Sequence, residues 1–351
     1  MKKIKVLVVD DSALVRDILA RGLSLDPEIE VVGTASDPYA ARDQIVKLRP
    51  HVLTLDVEMP RMDGVEFLRR LMPQYPLPVL VVSALTKKGA AITMSALEAG
   101  AVDVVTKPST NISRGLNAML LELREKVKVV ANVNVSAWKI RRQGDAVHRQ
   151  VRIDSKALAE STDKVIAIGA STGGTEAIRR IIRDFPAVMP GIVVVQHMPA
   201  GFTRHFAESL NNICAMEVKE AQTGDRVMPG VVLIAPGGRQ MNVRRSGGIY
   251  LVDCRPGENV CGHCPSVEVL FRSVAKYAGA NAIGVMLTGM GRDGAEGMAE
   301  MRRVGARTVA QDEATSVVFG MPKAAYEQGG VEYLLPLEII ASKIVGLLAK
   351  L

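Results

Sequence analysis

A chain of 351 residues, 48% hydrophobic and 23% charged, has the composition of a globular protein and the length of two domains rather than one core. No apolar stretch approaches a membrane span, the first apolar run stops at Asp10, and four cysteines do not make a disulfide framework. A protein that is neither secreted nor membrane-embedded is therefore expected, with the cytoplasm as its compartment. The net charge of +7 does not describe a nucleic-acid surface. Residues 1–123 are balanced, whereas residues 124–152 carry eight basic side chains against two acidic ones, as a solvated basic linker would, so no nucleic-acid partner is expected.

From the N-terminus, the apolar runs Ile4–Val9, Val52–Leu55, Val79–Val82 and Val102–Thr106 predict strands. Amphipathic helices, such as Ser12–Leu25 and Tyr39–Leu48, alternate with them, and a last helix covers Ser113–Val130. This is the rhythm of a doubly wound parallel sheet. Each run ends on a polar group: Asp10 and Asp11, then Asp56, Ser83 and Lys107. Open parallel sheets place chemistry beyond the carboxyl ends of their strands, so these residues belong to one crevice. Three mutually repelling acids call for a divalent cation, and hard oxygen ligands favour Mg²⁺. With Lys107 facing an anion, the set suits phosphoryl transfer to Asp56.

After a linker over residues 126–162, the second half resumes the same rhythm. Strands are predicted at Val165–Gly169, Ile192–Gln196, Val231–Ala235 and Ala282–Thr288, with helices at Thr175–Phe185 and Ala295–Val304. The first of these strands runs into Gly169-Ala170-Ser171-Thr172-Gly173-Gly174, which puts Ser171 on a sharp strand-to-helix turn beside unpaired backbone N–H groups. Serine needs a base. Of five histidines, His197 alone directly follows a predicted strand of this half; His51 lies in the first domain, His148 in the linker, and His205 on a helix near Thr203–Leu210. Asp293, in a glycine-punctuated loop after another strand, is the candidate orienting acid.

Taken singly, Ser171 reads equally well as a helix N-cap, His197 as a core residue and Asp293 as a turn acid; jointly they read as a Ser-His-Asp site. The order differs from that of α/β-hydrolases, so the short G-x-S-x-G match does not import that fold. A phosphate cradle is the weaker reading, because no G-K-[ST] follows. Cys254, Cys261, His263 and Cys264 have the residue types of a zinc site, but the cramped spacing favours free thiols.

Residues 1–123 resemble response-regulator receiver domains, through Val8-Val9-Asp10-Asp11-Ser12, Leu55-Asp56-Val57-Glu58-Met59-Pro60 with Asp63-Gly64, Val81-Val82-Ser83-Ala84 and Thr106-Lys107-Pro108. The resemblance implies that Asp56 accepts the phosphoryl group and that Asp11, Asp56 and the Glu58 carbonyl hold Mg²⁺, with Asp10 acting partly through water. Ser83 and Lys107 would be the switch residues. Val104 stands where receivers often carry an aromatic residue.

Residues from about 163 to 348 resemble the catalytic domain of the CheB protein-glutamate methylesterases. The matching stretches are Ile168–Gly174, Gln196-His197-Met198-Pro199, Ala235-Pro236-Gly237-Gly238, Pro265–Phe271 and Leu287–Gly294. Cys261-Gly262-His263-Cys264 replaces the family's usual Asn-Arg-His-Arg. The implied fold is α/β throughout: a receiver domain over residues 1–125, the basic linker, and a mainly parallel catalytic domain over 163–351.

The implied reaction is phosphorylation-regulated hydrolysis of glutamate γ-methyl esters on methyl-accepting chemotaxis receptors, with deamidation of receptor glutamines. It would run through Ser171, His197 and Asp293, with backbone N–H groups of Thr172 and Met290 as the oxyanion hole and no cofactor at the esterase site. A chemotaxis histidine kinase would donate the phosphoryl group. The competing expectation is a response regulator whose second domain only binds.

Overall fold

Apolar runs become parallel strands in both halves of the chain. The protein, a computed structural model, is described over residues 3–84, 86–108, 112–133, 135 and 163–349, and divides into two compact units. In the first unit, β1 (Ile4–Val9), β2 (Ile29–Ala35), β3 (Val52–Leu55), β4 (Val79–Ala84) and β5 (Asp103–Lys107) form one parallel sheet in the order β2-β1-β3-β4-β5. Every residue of β3 is buried, as expected for a strand covered on both faces. Strand β2 escaped the sequence reading because Glu30, Gly33 and Thr34 dilute its apolar run at the sheet edge.

Helix starts are set by local chemistry. Asp37 accepts hydrogen bonds from Tyr39 and Ala40 N–H ahead of Pro38–Leu48, and Asp63 accepts from Glu66 N–H ahead of Gly64–Gln74. Helix Ile112–Val130 runs past residue 125, with Val127 and Val130 buried. Most of the expected linker, residue 134 and residues 136–162, lies outside the described residues.

The second unit is built on seven parallel strands. They are β6 (Val165–Ala170), β7 (Gly191–Gln196), β8 (Glu217–Glu220), β10 (Val231–Ile234), β13 (Ala282–Met286), β14 (Arg307–Gln311) and β15 (Tyr333–Leu335), in the order β15-β14-β13-β6-β7-β10-β8. A three-stranded antiparallel sheet, β9 (Arg226–Val227), β11 (Gln240–Ser246) and β12 (Ile249–Arg255), adds to it. Helix Val267–Tyr277 buries Leu270, Phe271 and Val274 in the shared core.

Strand β6 is central, and successive connections lead from it first toward β7 and later toward β13. The sheet's topological switch point therefore lies beside β6. Strand β13 ends at Met286, two residues before the expected Thr288, because the Thr288 N–H is captured by the Gln311 side chain at 2.9 Å instead of continuing the ladder. Among the described residues, no helix is long and apolar enough to cross a membrane.

Candidate active site

Three neighbouring strands, β13, β6 and β7, deliver the three residues expected to work together. Ala170 and Gln196 are register partners, so Ser171 and His197 are the next residues on adjacent parallel strands, and His197 N–H donates to Ala170 O at 3.1 Å. The Gln196 side-chain amide clamps the pair, donating to Ser171 O at 2.9 Å and to His197 O at 3.2 Å. From the other side, Ser171 N–H donates to Thr288 O at 3.0 Å, and the Thr288 hydroxyl donates to Thr172 O at 3.0 Å. Gly289 lies against the serine: a Cβ there would stand 2.8 Å from Ser171 Cβ and closer still to Met321 Sδ. Only glycine lets this loop approach so closely.

The loop that begins at Gly289 carries Asp293, which is 1% exposed and fully engaged as an acceptor. His197 Nε2 lies 2.7 Å from its Oδ2, Val267 N–H donates to Oδ2 at 2.7 Å, and Ser266 Oγ and Glu268 N–H donate to Oδ1 at 2.7 and 3.1 Å. Ser266 leaves its own helix uncapped, and the Asp293 carboxylate takes up the first N–H groups instead. Burial acts to raise the pKa of Asp293, but His197, the Ser266 hydroxyl and Val267 N–H outweigh it and hold the carboxyl below the usual range.

His197 thus presents Nε2 to its acid, the reverse of the Nδ1 arrangement familiar from chymotrypsin-like sites. Its Nδ1 is buried and has no hydrogen-bond partner among the described residues, which leaves this nitrogen as the one available to Ser171. No hydrogen bond joins Ser171 Oγ to the ring in this structure; a nucleophile–base pair of this kind often closes only around substrate. The ring of His263 stacks on His197 at 3.6 Å between centroids, with 15° between planes. Thr172 is buried next to Ser171, and the Met290 N–H makes no hydrogen bond among the described residues. The other histidines are engaged elsewhere or not described: His51 Nδ1 accepts from Lys5 N–H, His205 pairs with Glu208, and His148 lies outside the described residues.

At the first unit's sheet edge, Asp10, Asp11 and Asp56 each offer a carboxylate oxygen, all within 4.8 Å of one another. Lys107 Nζ contacts Asp10 Oδ2 at 2.7 Å and Asp56 Oδ2 at 2.6 Å. Burial acts to lower the Lys107 pKa, but its bonds to these two acids raise it above the ordinary lysine value, so the ammonium is a fixed charge. Asp10 is pushed up, chiefly by burial. A second positive charge beside three acids suits this donor set, so the residues fit a hard divalent cation. The buried Ser83 pairs in register with Thr106, one residue before Lys107, while Val104 is buried and carries no ring to switch.

Among the described residues this is the only group of three or more ligand atoms so gathered, and Cys254, Cys261, His263 and Cys264 do not assemble one. The thiols differ in reach. Burial pushes Cys214 up to about 11, and burial with Asp225 and Asp253 pushes Cys254 up to about 12. Cys261 is exposed, though burial of its thiol and the nearby Asp293 also raise its pKa. At about pH 8, a thiol reagent is expected to label Cys261 and Cys264 well before Cys214 and Cys254, which should react only on unfolding; mass spectrometry of the labelled peptides checks this.

A family model described as CheB methylesterase matches residues 166–344, and one described as response regulator receiver domain matches residues 6–118. The chain belongs to the CheB methylesterase family. It is 68% identical over 349 residues to the protein-glutamate methylesterase/protein-glutamine glutaminase of Syntrophotalea carbinolica, covering 99% of each chain. The protein of the same name from Sulfurimonas denitrificans is 54% identical over 352 residues, again with 99% of each covered. The crystal structure of the Thermotoga maritima CheB methylesterase catalytic domain matches with a TM-score of 0.51 and 38% identity, covering 52% of this chain and 98% of that one. In this CheB-family chain, Gln196, Gln240, Ser266, Thr288 and Gln311 shape the site but were not picked out from sequence. The first four lie in or beside the matching stretches, whereas nothing local marks Gln311.

Proposed function

We propose that this chain is a phosphorylation-regulated protein-glutamate methylesterase and protein-glutamine glutaminase acting on methyl-accepting chemotaxis receptors in the cytoplasm. The observation that carries this reading is the His197 ring: anchored on Asp293 through Nε2, with a buried Nδ1 that has no partner among the described residues, one residue past the register pair that also leads to Ser171. Ser171 Oγ attacks the side-chain carbonyl of a receptor glutamate ester or glutamine, and its proton passes to His197 Nδ1. Asp293 holds the ring and stabilises the imidazolium through Nε2. Backbone N–H groups of Thr172 and Met290 take the developing oxyanion. The proton on Nδ1 then leaves with methanol or ammonia, and water, activated by the same nitrogen, releases the glutamate and restores Ser171.

Asp56 is the proposed phosphoryl acceptor, with a chemotaxis histidine kinase as donor. Asp10, Asp11, Asp56 and the Glu58 carbonyl would hold Mg²⁺, which supplies charge neutralisation for phosphoryl transfer. Lys107 stands ready as the fixed cation for the transferred anion, and Ser83 lies at the neighbouring strand end. A binding-only second domain is disfavoured, because it would have no use for a buried imidazole with one orphaned nitrogen.

The test is methanol release from methylated receptor membranes. Acetyl phosphate with Mg²⁺ is expected to raise the rate of the full chain by about 5- to 150-fold. Asp56→Asn should keep the basal rate and lose the stimulation. Undiminished stimulation in that variant would remove Asp56 from the scheme.

A further inference from the structure

We propose that His263 is a positioning residue for the esterase reaction, fixing the plane of the His197 ring so that Nδ1 meets Ser171. The proposal rests on the acyl-transfer reading of this site and adds a residue to it. The hydrogen bond from Nε2 to Asp293 fixes one atom of the imidazole, but a single bond leaves the ring free to tilt about that point. A flat partner 3.6 Å away and within 15° of parallel removes the tilt.

The segment presenting His263 is itself rigidly built. Val260 and His263 exchange both backbone hydrogen bonds at 3.0 Å, and Cys261 and Gly262 between them have φ of 52° and 86°. Two consecutive positive φ angles closed by such a pair make a type I′ turn, a tight and directional device. The buried Gln240 side chain then ties this turn to the acid's support. Its amide donates to Glu258 O at 2.9 Å and to His263 O at 3.1 Å, and its oxygen accepts from Ser266 N–H at 2.8 Å. The Ser266 hydroxyl in turn holds Asp293. The stacking ring and the orienting acid therefore share one buried amide, and the 260–266 segment sets both the position and the plane of the base.

Two variants of the acetyl-phosphate-activated full chain separate a flat face from mere volume. His263→Leu fills the space without a plane and is expected to lower kcat about 100-fold with KM little changed. His263→Phe keeps the plane and should recover most of that loss. The rate of Ser171 modification by a fluorophosphonate ester, which needs no receptor binding, should follow the same order. Equal rates in the Leu and Phe variants, whether both slow or both at the wild-type level, would overturn the proposal, as would a change confined to KM. Ser171→Ala run in the same assay distinguishes the two levels of failure. Turnover retained in that variant removes Ser171 as the nucleophile, and with it the acyl-transfer reading of this site on which the proposal rests, whereas its loss together with equal Leu and Phe rates sinks only the stack.

Discussion

Replacing Ser171 with alanine is expected to lower methanol release from methylated receptors by on the order of 10⁴- to 10⁶-fold, while acetyl phosphate still phosphorylates Asp56. The size of the effect follows from the site's economy of parts. Among the described residues that follow β6, Thr172 is buried and Gly173 and Gly174 have no side chains, so no other nucleophile takes the place of Ser171. The substitution removes one oxygen and leaves the backbone bonds of Ser171 to Thr288 and Gln196 in place, so the fold should be undisturbed. Phosphorylation of Asp56 and esterase turnover are measured separately, one by incorporated phosphate and the other by released methanol. Turnover near the wild-type rate would show that the reaction uses another nucleophile.

Asp293→Asn is expected to cost about 10⁴-fold in kcat. The carboxylate accepts four hydrogen bonds and donates none. An amide must turn its NH₂ toward one set of those donors. Directed at Oδ2's partners, it faces Val267 N–H and bonds His197 only with Nε2 as acceptor, which puts the ring proton on Nδ1, the nitrogen needed as base; directed at Oδ1's partners, it faces Glu268 N–H. Either way a buried N–H opposes another donor, so a lower thermal midpoint should accompany the lost rate.

The same carboxylate sets a pH dependence. Its pKa in the folded protein is depressed below that of the unfolded chain, so its contribution to stability is present above the ordinary aspartate value. That contribution is lost as the pH falls through the depressed value. Acid unfolding of the wild type followed by circular dichroism should therefore show a steeper loss at low pH than that of Asp293→Asn, which has no proton to take up at this position. Identical acid profiles would mean that Asp293 is not the stabilising charge described.

Much of this architecture was legible because parallel strands buried on both faces leave a plain trace: an apolar run stopped by one polar residue. Asp56, Ser83 and Lys107 each stand at such a stop, His197 directly follows the one at Gln196, and the structure puts each at a strand's carboxyl end. Ser171 was marked by its glycines. The antiparallel β9, β11 and β12 were not legible, since strands such as Gln240–Ser246, with Arg244 and Arg245 exposed, lack a continuous apolar signal. Nor were the bonds that give the site its shape. Gln240 to His263, Ser266 to Asp293 and Gln311 to Thr288 join residues more than twenty positions apart through side chains that are ordinary in isolation. The orientation of the imidazole was equally hidden, because either ring nitrogen satisfies the same sequence.

Among the described residues, no arginine or lysine pairs with Asp293; besides His197, its carboxylate is held by the Ser266 hydroxyl and two main-chain amides at the start of helix Val267–Tyr277, with the Cys261 thiol close by. Fixed dipoles of this kind are out of reach of dissolved counter-ions in a way that mobile surface cations are not. The charge on Asp293 is thereby screened less by salt than that of an exposed ion pair, so a salt dependence of the whole protein is expected to arise chiefly at its surface.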